Sequence, residues 1–146
     1  MILSITLLIA AVLIFHGLIV AAQSAGSFGP TPPSGLQNPA WVSWWPTNLG
    51  RSSLLSWLGL ERTPITWIGG LLWLAGGIAL VAAGLGVFGF VIPTDWWRGL
   101  AIAGAAISLF MLVVYLHPIA ILGTGLSVVI LVALLWARWP SASLVP

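Results

Sequence analysis

Two imidazoles, His16 and His117, stand in a chain whose other chemically active side chains are few: four arginines, two acids and no cysteine. A polar ring inside or beside an apolar run is a functional candidate by default, because lipid offers it no partner. If the topology brings His16 and His117 to one face, the pair could supply axial nitrogens to a haem or chlorin metal. The structural alternative is simpler. His117 precedes Pro118 at a boundary, where it can hydrogen-bond a free carbonyl or a headgroup, and His16 can be satisfied by Tyr115 or by loop backbone.

Other chemistries lack their parts. Glu61 and Asp95 both fall outside the apolar runs, so the chain has no intramembrane acid for a proton relay or a cation path. There is no Ser, His and Asp set at hydrolytic spacing, no glycine-rich phosphate loop and no acidic metal cluster. Without cysteine there is neither a thiolate site nor a disulfide. The expectation is therefore a protein that is not an enzyme.

The elements that must position the histidines are four apolar runs, at roughly 2–22, 65–92, 97–116 and 119–137. Each approaches or exceeds the ~20 residues that a helix needs to cross a ~30 Å hydrocarbon layer. Only 4% of the 146 residues are charged and the mean hydropathy is +1.16, so a soluble core could not hide these runs. They lack two-residue alternation, which argues against a barrel. The expected fold is all-α, a single integral membrane domain of four transmembrane helices. A pI near 10.7 rests on four arginines with no basic run, so nucleic acid is not the expected partner. The first run starts at Ile2 without a basic flank and exceeds a leader's apolar length, so it reads as the first span.

Residues 23–63 form the long connection outside the membrane. Its Gly, Pro and Ser-rich first part should run extended, whereas SSLLSWLGL predicts a short interfacial helix capped by Ser52 or Ser53. Leu54, Trp57 and Leu58 would share its lipid face, with the serines and Arg51 toward water, or the segment would pack as a loop on the tops of the other helices. Thr63 before Pro64 predicts the cap of the second span, and Asp95 that of the third, with Arg98 snorkelling to headgroups. Spans two and three, joined by a short turn, should form a hairpin.

Tryptophan checks this threading, since its ring prefers the headgroup level. With four crossings Trp41, Trp44, Trp45, Trp57 and Trp67 gather at one face, and Trp96, Trp97, Trp136 and Trp139 at the other, leaving Trp73 inside a span. Arginines divide two and two between the faces. Arg98 and Arg138, close to helix ends, favour both termini in the cytoplasm of a bacterial inner membrane.

The spans also carry small residues in register: Gly70, Gly77 and Gly84 seven apart, Ala75, Ala79 and Ala83 four apart, and Gly104 and Ser108 in the third. Such faces let backbones approach in lipid. They are expected to pack the hairpin of spans two and three, or to receive another subunit.

With FHGL near the end of the first span, GGIALVAAGLGVFG in the second and a long first loop, the chain resembles the DoxX-like group of small four-helix bacterial membrane proteins. That group's charged residues in the second helix have no counterpart here, so no site residue carries over. The expected function is a non-catalytic accessory or structural subunit of a larger membrane complex, of an energy-converting (respiratory or photosynthetic) kind. The alternatives are a haem- or bacteriochlorophyll-binding subunit using His16 and His117, and a small transporter or lipid-binding protein.

Overall fold

The computed structural model describes residues 2–28 and 37–141. Part of the Pro-rich stretch expected to run extended, residues 29–36, lies outside them. Helix α1 spans Ile2–Ala22 and tightens into a 3-10 turn at Gln23–Ser27. Helix α2 is the short Ser53–Trp57, α3 runs Thr63–Gly86, and α4 runs Trp97–Val114 after a 3-10 turn at Thr94–Trp96. A turn at Pro118–Ala120 leads into α5, Ile121–Leu131, which widens to a π-helical turn at Val132–Trp136. All of α1, α3, α4 and the Pro118–Trp136 stretch are long and apolar enough to cross a membrane.

The ends of these helices differ from the sequence expectation for local reasons. Helix α3 stops at Gly86 rather than near residue 92, because Gly89 and Val91 adopt left-handed backbone (φ of 69° and 65°) and fold the chain into a tight turn. Thr63 is the first residue of α3 rather than its cap, and Arg62 before it makes no side-chain cap bond; Pro64 sits in the first turn as expected. Asp95 does not cap α4 either. It lies in the preceding 3-10 turn, and neither helix start carries a side-chain cap hydrogen bond.

Helix α3 is the central element, with α1 on one side and α4 on the other. A Cβ at Gly77 would stand 2.6 Å from the Gly17 carbonyl oxygen and from the Ala21 nitrogen, and one at Gly84 would stand 2.9 Å from the Ala10 oxygen. The two backbones are therefore in contact, which is what small residues permit in lipid-like surroundings. Gly70 gives room to Ser27 and Phe28 beyond the end of α1. Thus the seven-residue register serves α1, a correction to the expectation that it packs the hairpin with α4. The hairpin uses a neighbouring stripe instead, where Gly76 approaches Ser108 and Gly104 approaches Leu80 and the Gly76 oxygen. Ala83 is buried, Ala79 half-buried and Ala75 exposed, so the alanine register is not one packing face.

The short helix α2 docks through its serines. Ser52 Oγ accepts the Leu55 N–H as an N-cap and donates to the Val114 oxygen at 2.7 Å, while Ser53 Oγ donates to the Leu116 oxygen at 2.8 Å. Val114 ends α4 and Leu116 lies just beyond it, where helix geometry leaves carbonyls without intrahelical partners. The expectation that the serines face water is corrected for Ser52 and Ser53, which dock the segment on the tops of the other helices, while Ser56 is exposed; Leu54, Trp57 and Leu58 are exposed together, as the pattern indicated. At the opposite end Arg98 donates to the Arg138 oxygen at 3.2 Å and to the Pro140 oxygen, closing the end of α5.

Candidate functional site

Helix α5 packs on α4 but faces α1 across a crevice. The part toward the long loop is a cavity of about 490 Å³, walled by Phe15 and Ile19 of α1, Trp73 of α3, Leu112 of α4 and Leu122 and Leu126 of α5. Among the described residues its polar groups are His16, Gln23, Tyr115 and His117, and no Asp, Glu, Lys or Arg lines it. A second cavity of about 170 Å³ continues along the same two helices toward Trp97, Trp139 and Pro140, sharing the wall residues Val12 and Leu126 with the first. Since Leu8 and Ile9 line this second cavity beside Trp139 and Pro140, the N-terminal half of α1 and the stretch after the π-helical turn lie toward one end of the bundle.

His16 is buried, and its Nε2 lies 2.9 Å from the Ser127 hydroxyl of α5. The crevice is thereby bridged by a hydrogen bond between two side chains 111 residues apart. The partner foreseen in sequence, Tyr115, is engaged elsewhere: its ring packs edge-on against Trp73 at 5.7 Å and its hydroxyl bonds with Ser27.

His117 works as a cap. Its Nδ1 accepts the Ile119 N–H at 3.3 Å at the start of the Pro118–Ala120 turn, so in the neutral ring the proton resides on Nε2, which donates to Asn38 Oδ1 at 2.8 Å. Burial lowers its pKa below the ordinary imidazole value, favouring this neutral form. Asn38 is a hub: its amide nitrogen donates to the Trp45 and Thr47 oxygens, and Oδ1 also accepts the Leu49 N–H. Trp45 lies edge-on to His117 at 6.2 Å.

The structure therefore brings both sequence-predicted histidines to one cavity, with each already holding a protein partner. Both nitrogens of His117 are engaged, so axial ligation by the pair would require the turn and the Asn38 hub to be given up. No group of three or more potential metal ligands occurs among the described residues. Of the tryptophans expected at the two faces, Trp41, Trp44, Trp57, Trp67, Trp96, Trp136 and Trp139 are exposed and Trp45 is half-buried. Trp97 is buried at 5% exposure against Gly86, with the Arg98 guanidinium 5.6 Å from its ring, so it serves the core.

Sequence reading missed Asn38 and Ser127. Ser127, a hydroxyl in the middle of an apolar run, was the available signal for a cross-helix bond; Asn38 had none, because loop asparagines are common. Comparison of the chain with family models, curated proteins and solved structures gave no match, and the DoxX-like resemblance rests on the quoted segments.

Proposed function

We propose that this chain is a multi-pass membrane protein that binds a neutral lipophilic molecule between α1 and α5, without chemistry of its own. The observation that carries this reading is the cavity of about 490 Å³, which lies within the ~300–1,000 Å³ of small-molecule sites and shares their composition of apolar walls with a few polar groups. Its polar groups converge at the loop end, at headgroup depth if the four helices span, so a ligand's polar end belongs there and its apolar body deeper. A cavity without an ionic side chain offers nothing to balance a charged head, which would be costly to desolvate. Both termini are assigned to the cytoplasmic side of a bacterial inner membrane on the placement of Arg98 and Arg138.

Native mass spectrometry from mild detergent tests the proposal. The wild type should carry a non-covalent adduct that Gly123→Phe removes, because a Cβ at Gly123 has ordinary contacts with Leu112 and His16 and a larger ring must enter the cavity. Gly123→Ala should retain the adduct. A ligand-free wild type after reconstitution in native lipid extract would overturn the reading.

A second reading, the accessory subunit, draws on α5. The span containing it is 17% buried, against 44% for α3, so α5 is the face left for a neighbouring subunit. The small residues of α3 that first pointed to such a neighbour mostly make contacts within the chain. A native-gel mass well above the monomer with its detergent would support this second reading.

A further inference from the structure

Building on the proposed lipophile site, we infer that its ligand is a long-chain amphiphile with an uncharged head, whose chain runs out of the larger cavity and down the α1–α5 crevice toward Trp139. The two cavities lie one after the other along α1 and α5, and Val12 and Leu126 line both, so these two side chains stand at the junction that a bound chain would pass. Ile119 lines the upper part and Ala133 the lower; a helix rises about 20 Å between them. Half of a hydrocarbon layer is about 15 Å, so the crevice extends past the midplane, where the chain of an ordinary leaflet lipid ends.

The walls agree with this division. Among the described lining residues His16, Gln23, Tyr115 and His117 belong to the upper cavity, while the lower one is walled by Leu8, Ile9, Val129, Ile130, Leu134 and other largely apolar groups. Head and tail subsites are thus separated along one path. The absence of Asp, Glu, Lys and Arg from both described linings selects against carboxylate, phosphate and ammonium heads and leaves uncharged ones such as hydroxyl or carbonyl groups.

Binding of decanol, hexadecanol and palmitate to the full-length protein in detergent, read as adduct occupancy by native mass spectrometry, tests this inference. Hexadecanol should bind at least several-fold better than decanol, and palmitate, ionised at neutral pH, several-fold worse than hexadecanol. Ala133→Phe, which fills the lower cavity, should erase the advantage of hexadecanol and leave decanol unchanged. Should that variant misfold, hexadecanol bearing a terminal diazirine should crosslink the wild type at the peptide containing Leu134 and Trp139. Equal binding of the two alcohols, or crosslinks confined to the upper cavity, would overturn the tail path while the binding function stands. Preference for palmitate would overturn the uncharged head. Failure of all three probes and of native lipid extract to bind would remove the binding function itself.

Discussion

Nε2 of His117 donates to Oδ1 of Asn38 across 2.8 Å, joining the turn before α5 to a loop residue 79 positions earlier. Asn38 thereby ties three backbone groups of the 45–49 stretch and one imidazole to a single side chain. Its replacement should cost more than the ~1 kcal/mol of an average hydrogen bond, because the partners lose their bonds together. Asn38→Ala is expected to destabilise the protein by about 2–3 kcal/mol, seen as a lower thermal midpoint in detergent and as faster proteolysis between Trp41 and Arg51. An unchanged midpoint would show that the hub is incidental.

Acid should loosen the same region. A ring whose folded-state pKa lies below the ordinary 6.5 binds protons more readily when unfolded, so its contribution is complete above about 6.5 and declines as pH falls below it. Protonation of Nδ1 also replaces the acceptor of the Ile119 N–H with a donor. The protection factor of the Ile119 amide, its hydrogen exchange corrected for the intrinsic pH dependence, should fall from pH 7 to 5 in the wild type. In His117→Asn, whose amide oxygen can cap without titrating, it should stay flat over that range.

The glycine contacts predict an asymmetry along α3. Gly77→Ala places a Cβ against the Gly17 oxygen and Ala21 nitrogen, backbone atoms that cannot turn aside, and should cost about 1–3 kcal/mol. Ala75→Leu, on an exposed position, should be near neutral. Chemical unfolding of both variants in mixed micelles measures the difference, and comparable losses would mean that the packing face is misassigned.

Topology is accessible because the chain has no native thiol. Ser56 and Gly99 are both exposed, at opposite ends of the bundle, and an added Cβ at Gly99 meets open space. Cysteines introduced at the two positions should react with an impermeant maleimide from opposite sides of sealed vesicles. Labelling from one side would refute a four-crossing arrangement.

Legibility in sequence followed the range of the interactions. The four long apolar helices were legible because each is a continuous apolar run, and Ser52 was legible as a cap because capping is local. The glycine register announced a small face on α3 but not its partner, since a seven-residue repeat is the same whether α1 or α4 covers it. Helix α3 was drawn too long because apolar composition continues through Val87–Ile92, while the stop depends on backbone conformation at Gly89 and Val91. The cavity itself had no local signal. It arises where α1 and α5 fail to close on each other, a relation between the first and last spans.

That relation gives synthesis an order. Helices α1 and α3, which hold the closest glycine contacts, emerge first, and α4 adds its stripe to a pair already complementary. One wall of the crevice, together with Ser127, arrives with the final helix. A chain lacking the stretch from Pro118 onward would keep its tightest packing and lack the chamber altogether, so the proposed site exists only once α5 has joined the other helices.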